Sequence, residues 1–266
     1  MTGRTARPVR VGVVGLGFVG TAVARRLATR LTPGLELAFV WSRSGRTLDG
    51  APDAPTLEDL ADAARHDPDL IVEAAHPDVT VTHGERLVAA ADYLPLSVTA
   101  LADDTLRERL ATVATTHGTR VLLPHGALVG AGSLAEWRDH WRSVTFRMEK
   151  PPSSLGPGSE AHAIGGRTVL HDGSVRSIAA RFPRNVNAMV TGALATIGLD
   201  RARGVMVADP ALRELRLIVE ARGVDGSRLR IARRQPAVGV SGTEMAEAAW
   251  ASVVAAAGRQ PGWSVV

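Results

Sequence analysis

The chain of 266 residues has no cysteine, so every chemistry that needs a thiol is excluded. A thiohemiacetal cannot form, which rules out the aldehyde and semialdehyde dehydrogenases that use a cysteine nucleophile. Disulfides and cysteine-ligated metal sites are excluded for the same reason.

Tyrosine and lysine are almost as scarce, with Tyr93 and Lys150 as the only examples. Ser97 stands four residues after Tyr93, so the Tyr-x-x-x-Lys pair of short-chain dehydrogenases cannot be built. A single lysine also disfavours the class of amino-acid dehydrogenases that polarise their substrate with several catalytic ammonium groups.

Charge and apolar length exclude two further classes of partner. A formal net charge of +4 over 266 residues makes no basic stripe, and aromatic residues for base stacking amount to 4%. We therefore expect no nucleic-acid partner. Apolar runs are too short to span a bilayer and no signal peptide is evident, so we expect a cytoplasmic protein with no membrane partner.

Apolar strands alternate with helices in the first half of the chain, which predicts an α/β fold with a doubly wound parallel sheet, a Rossmann domain over residues 1–124. Here we expect helices at 56–65, with Thr56 as the cap, and 79–91, and strands at 94–98 and 120–123. Residues 125–241 predict a second, α+β catalytic and dimerisation domain with antiparallel strands. The alanine-rich helix within 242–258 is expected to pack back on the first domain.

Gly15, Gly17 and Gly20 follow a β-branched strand and open a helix. The first glycine allows a tight turn, the second lets backbone approach a pyrophosphate, and the third lets helix and strand pack closely. This context predicts a dinucleotide site rather than a generic turn.

Ser42, Arg43 and Ser44 occupy the position where an NAD-specific site places an acid for the ribose 2′-hydroxyl. These side chains suit a 2′-phosphate, because guanidinium and phosphate pair geometrically. We therefore expect NADP, with NAD as the second option. A plain polar turn in an arginine-rich chain is the alternative.

His76 and His125 each follow the end of a predicted parallel strand, where ligands of open α/β sheets bind. A functional histidine and an ordinary capped loop histidine are equally consistent with that position. The eight histidines show no metal-ligand spacing, so no metal site is predicted.

Asn185 and Asn187 begin a predicted helix at 187–197, just after Arg184. Helix capping explains one asparagine, whereas the pair would also suit a nicotinamide amide or a substrate carboxylate. Asp209 precedes Pro210 after a strand, as an ordinary turn or as a site carboxylate.

Taken in order, the motifs resemble those of the L-aspartate dehydrogenase family, including its vertebrate-type domain-containing members. The segments that carry the resemblance lie at 11–20, 35–43, 69–77, 97–103, 124–127, 150–152, 181–187 and 207–210. The resemblance implies a Rossmann domain and an α+β domain whose open sheet commonly pairs in a homodimer. It also implies reversible conversion of L-aspartate, NAD(P)+ and water to oxaloacetate, ammonia and NAD(P)H through iminosuccinate. It also implies that Ala127 and Asn187 contact the cofactor and that Asn185 and Asp209 line the site.

One position departs from the family pattern. By our count Arg216 stands where the family has its catalytic histidine, and no histidine follows His171. A guanidinium stays protonated and cannot serve as a base, although it can bind a carboxylate. Either His125 has taken over proton transfer, or the protein reduces another imine or carbonyl or has lost catalysis.

The sequence therefore predicts an NADP-preferring oxidoreductase acting on a small amino or imino acid. A reductase of a different imine or carbonyl, or a non-catalytic NADP-binding sensor or scaffold, is the alternative. Lys150 lies in a segment similar to the family's lysine-proline-proline loop, for which a structural role is favoured. The candidate catalytic residues are His125, Arg184, Asp209 and Arg216, and the candidate cofactor-binding residues are Gly15, Gly17, Phe18, Val19, Gly20, Ser42, Arg43, Ser44, Ala75, His76, Ala100, Ala127, Asn185 and Asn187.

Overall fold

The computed structural model describes residues 7–29, 32–126, 128–156, 164–238, 241–242 and 244–258. The chain forms two compact units. Unit 1 comprises Met1–Ser97, Asp104–Pro124 and Ala246–Val266, and unit 2 comprises Val98–Asp103 and His125–Met245.

Unit 1 is a four-stranded parallel sheet in the order β2-β1-β3-β4, with helices connecting the strands. Its elements are β1 (Val9–Val14), α1 (Phe18–Ala28), β2 (Leu35–Trp41), a 3-10 helix (Leu60–His66), β3 (Leu70–Glu73), α2 (Pro77–Ala90), β4 (Asp92–Pro95), α3 (Asp104–His117) and, from the end of the chain, α7 (Met245–Ala256).

The core of unit 1 forms because the central strands are apolar on both faces, as parallel strands covered by helices must be. Val11 and Val13 of β1 are fully buried against Val23 of α1. Ala249 and Val253 of α7 join the same cluster. The C-terminal helix therefore completes the core that holds the glycine turn.

The predicted helix at 56–65 is wrong at its start. Thr56 is extended and bridges Val40, and hydrogen bonds of Val40 with Pro55 and Leu57 hold this stretch beside the sheet. The 3-10 helix begins only at Leu60, where Asp59 rather than Thr56 accepts the capping hydrogen bond.

The predicted strand at 120–123 is reduced to an isolated bridge between Tyr93 and Val121. Only two ladder hydrogen bonds form, at Arg120 and Leu122. Pro124 then follows, and its missing N–H cannot extend the ladder. The predicted helix 79–91 and strand 94–98 exist with shifted bounds, as α2 and β4.

Unit 2 is built on a six-stranded sheet in the order β10-β9-β8-β5-β7-β6. Its elements are 3-10 helices at Val98–Ala102, Arg138–His140 and Pro152–Leu155, with α4 (Ala131–Glu136), β5 (Trp141–Lys150), β6 (Thr168–Ser174), α5 (Val175–Arg181), α6 (Asn187–Leu194), β7 (Arg203–Ala208), β8 (Glu214–Gly223), β9 (Arg228–Val238) and β10 (Ser241–Gly242). The predicted helix 187–197 is three residues shorter, ending at Leu194.

The sheet of unit 2 is mixed rather than purely antiparallel, because β5 and β7 run parallel. The chain between them includes β6, α5 and α6, enough for the crossover that parallel strands require. The predicted fold class, a Rossmann-type parallel sheet followed by an α+β domain, is confirmed.

The two faces of this sheet differ in chemistry. Gly192 of α6 packs directly on the ring of Phe146, and Gly204 packs beside Ile178 of α5. The face that carries Phe146 is therefore covered by helices. The opposite face, which we call the open face, carries Arg147 and Glu220 among its polar side chains.

Within the part of the chain that the structure describes, no helix has both the length and the apolar character needed to cross a membrane.

Candidate active site

The glycine turn of unit 1 has the geometry that its spacing predicts. Gly15 has φ of +101°, in the left-handed region that glycine adopts most readily. A Cβ on Gly15 would lie 2.7 Å from Cβ of Ala75 and 2.8 Å from the carbonyl oxygen of Ala74. A Cβ on Gly20 would overlap the carbonyl oxygen of Gly15. These two glycines permit close packing of turn, helix and neighbouring loop.

Gly17 has a different role, because a Cβ there would meet nothing within 4 Å. It is the N-cap of α1, and among the described residues no side-chain hydrogen bond caps the helix. The first turn carries no acidic residue, Phe18 is 55% exposed and Val19 is half-buried. The helix N-terminus is therefore open to an anion, and the residues fit the pyrophosphate of a dinucleotide.

Ser42, Arg43 and Ser44 form a turn directly after β2, at the carboxyl edge of the sheet. The N–H of Gly45 donates to the carbonyl of Ser42 over 3.0 Å, and the Ser42 hydroxyl donates to the carbonyl of Arg46 over 3.1 Å. Arg43 and Ser44 are exposed. The turn thus presents a guanidinium and a hydroxyl to solvent, with no carboxylate in their place.

Glu73 is a residue of this site that our sequence reasoning missed. It ends β3 and is completely buried. Its carboxylate accepts hydrogen bonds from the N–H groups of Ala75 at 2.7 Å, His76 at 2.8 Å and Ser97 at 3.1 Å, and from the Ser97 hydroxyl at 3.1 Å. Burial raises the pKa of Glu73 to about 7, although the donors oppose the rise. An acid at the end of an otherwise apolar strand was the available signal.

His76 is the N-cap of α2. Its Nδ1 accepts from the N–H of Asp78 at 3.3 Å and lies 3.2 Å from that carboxylate. His76 therefore caps a helix, and its contact with the cofactor stays a prediction. Ala75, beside it, is exposed at the end of β3.

In unit 2, Lys150 ends β5 on the helix-covered face and is 3% exposed. Its Nζ donates to Oδ1 of Asn185 at 3.0 Å, and Nδ2 of Asn185 donates to the carbonyl of Leu155 at 3.3 Å. Burial lowers the pKa of Lys150 to about 7. The structure thus places the only lysine in hydrogen-bond contact with a predicted site residue.

Asn187 is the first residue of α6 and does not cap that helix. Its Oδ1 instead accepts from the N–H of Thr99 at 3.0 Å, and the Thr99 hydroxyl donates to the carbonyl of Pro183 at 2.5 Å. Ala100 follows in the same 3-10 helix and is 7% exposed. Within unit 2, the segment after residue 97 is therefore tied to the start of α6.

Arg216 lies on the open face, because Leu215 and Leu217 on either side of it are buried. Its Nε donates to Glu214 at 2.7 Å, and a second guanidinium nitrogen lies 3.8 Å from a carboxylate oxygen of Glu149, its cross-strand partner. Arg216 and Lys150 are thus on opposite faces of the sheet. The guanidinium is held by carboxylates of its own chain.

The other predicted catalytic residues are dispersed through unit 2. Asp209 forms the turn after β7, where its Oδ1 accepts from Ala211 at 2.9 Å and its N–H donates to the carbonyl of Lys150 at 2.9 Å. His125 and Arg184 are both exposed. The predicted cofactor contact Ala127 lies outside the described residues. Among the described residues, no group of three potential metal-ligating side chains could hold an ion.

Two family models match the chain, one over the segment that begins at the glycine turn and one over the α+β segment. The model described as homoserine dehydrogenase, NAD binding domain, matches residues 15–124. The model described as aspartate dehydrogenase, C-terminal, matches residues 134–257. Together they support a nicotinamide cofactor bound by an oxidoreductase.

Relatives of known name match over nearly the whole chain. The aspartate dehydrogenase domain-containing protein of Xenopus tropicalis is 33% identical over 273 residues, covering 95% of this chain and 96% of the relative. L-aspartate dehydrogenase 1 of Bordetella pertussis is 36% identical over 258 residues, covering 92% and 96% respectively.

Among solved structures, aspartate dehydrogenase from Thermotoga maritima has the same fold, with a TM-score of 0.70 and 24% identity over 92% of this chain and 94% of that one. The order of motifs, the two units and the relatives that match along both of them lead to one conclusion, which confirms the resemblance seen in the sequence. The chain belongs to the aspartate dehydrogenase family of NAD(P)-dependent oxidoreductases.

Proposed function

We propose that the protein is an NADP-preferring dehydrogenase that interconverts L-aspartate with oxaloacetate and ammonia. In the reductive direction, oxaloacetate and ammonia condense with loss of water to iminosuccinate, whose α-carbon accepts hydride while its nitrogen accepts a proton. The observation that carries this proposal is the similarity to L-aspartate dehydrogenase 1 of Bordetella pertussis across 92% of the chain.

Geometry supports the cofactor half of the proposal. The open space at Gly17 and the uncapped N-terminus of α1 would accept the pyrophosphate through backbone N–H groups. Arg43 and Ser44 would bind the 2′-phosphate, which NAD lacks. NADPH, when bound, supplies the hydride.

Substrate binding and proton transfer fall to residues of unit 2. Arg184 is exposed and suits a substrate carboxylate, whereas Arg216 would first have to release Glu214. His125 is the candidate acid and base, since imidazole exchanges protons under neutral conditions and this one is exposed. Asn185, Asn187 and Asp209 remain proposed site residues.

The experiment is NADPH oxidation by the purified protein with oxaloacetate and ammonium together, and with each omitted. We expect oxidation only when both are present, and a lower KM for NADPH than for NADH. Oxidation with oxaloacetate alone would indicate a ketoacid reductase. Failure to bind NADPH, shown by unchanged nucleotide fluorescence, would remove the proposal altogether.

The second candidate function is an NADP-binding sensor or scaffold, or a reductase of another imine or carbonyl. It is favoured by the absence of any histidine after His171 and by the ion pairs that hold Arg216. Such a protein would bind NADPH without oxidising it in the presence of oxaloacetate and ammonium. Activity that appears only in Arg216→His would support the alternative.

We also propose a cytoplasmic homodimer. In this proposal the open face of the unit 2 sheet, with side chains such as Arg147 and Glu220, would pack against the second copy. Light scattering should give twice the mass of the chain, and the mass of one chain would contradict the dimer.

A further inference from the structure

Glu73 combines features that a purely structural core residue does not need. It is 0% exposed, yet it carries an ionisable group, and four hydrogen-bond donors converge on that group. All four donors are neutral, namely three backbone N–H groups and one hydroxyl. Within the described part of the chain no cation pairs with this carboxylate, and a buried carboxylate without an opposing charge is costly, so its presence calls for a reason beyond packing.

The donors come from two separate loops at the carboxyl edge of the parallel sheet. Ala75 and His76 belong to the loop after β3, whereas Ser97 follows β4. The backbone reinforces the junction, since the N–H of Leu96 donates to the carbonyl of Glu73 at 2.7 Å. One side chain therefore fixes the relative position of both loops.

The first of these loops also packs on the glycine turn. A Cβ on Gly15 would come within 2.8 Å of three atoms of Ala74 and Ala75. Gly15 and the loop after β3 are thus in direct contact. Nucleotides bind at this edge of open α/β sheets, so movement of the loop would alter the surface that the cofactor meets.

We propose that Glu73 is a positioning residue for cofactor binding, whose carboxylate holds the loops after β3 and β4 in the arrangement that receives NADPH. The inference rests on the proposed function only in that unit 1 binds this cofactor. Glu73 is buried and acts through Ala75, His76 and Ser97 rather than by touching the cofactor.

The ionised form is the one that the geometry requires. The Oε2 atom of Glu73 accepts from the N–H of Ser97, and Oε1 accepts the other three hydrogen bonds. A proton on Oε2 would face the N–H of Ser97, whereas a proton on Oε1 would compete with the N–H groups of Ala75 and His76 and could be accepted only by the Ser97 hydroxyl. Either proton weakens the hold on a loop and favours its release. Because burial raises the pKa of Glu73 to about 7, this release falls within an accessible pH range.

Other titratable groups near Glu73 behave differently. Tyr93 of β4 is fully buried, its hydroxyl lies 2.9 Å from that of Thr80, and burial raises its pKa well above the usual value. It therefore stays neutral where Glu73 titrates. His76 contributes its N–H to Glu73, while its ring faces Asp78.

The test compares the dissociation constants of wild type, Glu73→Gln and Tyr93→Phe for NADPH and for NADH, which has no 2′-phosphate to titrate. In Glu73→Gln an amide N–H must face a backbone N–H. We therefore expect the dissociation constants to rise roughly tenfold or more at about pH 8. Tyr93→Phe removes one hydroxyl from the same buried region and should keep wild-type affinity.

The pH profile supplies a readout that a packing defect would not give. Wild-type affinity for NADH should fall severalfold as pH decreases from about 8 to about 6, whereas Glu73→Gln should bind weakly and equally at both. Hydrogen exchange should show faster exchange of the 75–76 and 97 amides in the variant, with α3 unchanged. If Glu73→Gln does not fold, Ser97→Ala, which removes only the hydroxyl donor and keeps the carboxyl group, should weaken binding by a smaller factor and shift the fall in affinity to higher pH, because this hydroxyl lowers the pKa of Glu73.

Wild-type affinity and an unchanged pH profile in a folded Glu73→Gln or Ser97→Ala would overturn the positioning role. Failure of the wild type to bind NADPH or NADH at any pH would instead overturn the proposed function. The two failures are therefore distinguishable.

Discussion

Nζ of Lys150 donates a hydrogen bond to Oδ1 of Asn185 over 3.0 Å, and both residues are buried. The pair joins the end of β5 to the turn before α6. Burial of an amine disfavours its charged form, and the pKa of Lys150 falls to about 7. The one lysine of an arginine-rich chain is therefore placed where arginine, which cannot lose its proton, would be unsuitable.

This relationship makes stability depend on pH. Between pH 7 and 10.5 the unfolded chain holds a proton on Lys150 that the folded chain lacks, so the free energy of unfolding rises with pH by up to roughly 1.4 kcal/mol per unit. Below pH 7 both forms are protonated and the contribution is constant. Urea titrations at several pH values would measure the slope.

Lys150→Met and Lys150→Arg are the matched variants for that measurement, because neither titrates in this range. Both should lose the slope, and Lys150→Arg should be the less stable since its charge stays buried. A slope that survives in both variants would assign the pH dependence to another group.

The glycine turn predicts different outcomes for two substitutions of the same kind. Gly17→Ala places a methyl group in open space, so the fold should be kept while affinity for NADPH falls about tenfold or more through blocked approach of the pyrophosphate. Gly20→Ala would overlap the carbonyl of Gly15 and should reduce both stability and binding. Thermal unfolding and nucleotide fluorescence separate the two effects. Full affinity in Gly17→Ala would contradict the placement of the pyrophosphate.

Cofactor preference should depend on Arg43. Arg43→Ala loses a charge-assisted contact to the 2′-phosphate, so kcat/KM for NADPH should fall roughly tenfold to a hundredfold, while that for NADH changes little. Arg46→Ala is the matched control, because it removes an exposed guanidinium at the end of the same turn. An equal loss with both cofactors would count against a 2′-phosphate site.

Proton transfer is tested at His125. His125→Ala should lower kcat by about a hundredfold or more if this imidazole is the acid and base, with NADPH affinity retained. His117→Ala, an exposed histidine at the end of α3, is the control and should retain activity. Retained turnover in His125→Ala would require another group to move the proton.

Local patterns predicted much of unit 1. The spacing of Gly15, Gly17 and Gly20 encodes a strand, a turn and a helix within a dozen residues, and the structure has all three. Thr56 does not cap a helix, because hydrogen bonds of its neighbours Pro55 and Leu57 with Val40 of β2 hold it in an extended conformation. The predicted strand at 120–123 does not form, because Val121 makes an isolated bridge with Tyr93 and Pro124 then ends the pairing.

Contacts between distant parts of the chain could not be predicted. Glu73 meets Ser97 across 24 positions, and Lys150 meets Asn185 across 35. The orientation of Arg216 could be predicted from the sequence, because side chains alternate between the faces of a strand and the leucines on both sides of it take the buried face.

Transfer of the hydride to the α-carbon of an amino acid is the central claim, and isotopic labelling tests it directly. The purified protein would be supplied with oxaloacetate, ammonium and NADPH that carries deuterium at both hydrogen positions of nicotinamide C4, and the products would be analysed by mass spectrometry. We expect aspartate with one deuterium at its α-carbon. Deuterated malate, or no deuterated product while NADPH remains bound, would contradict the claim.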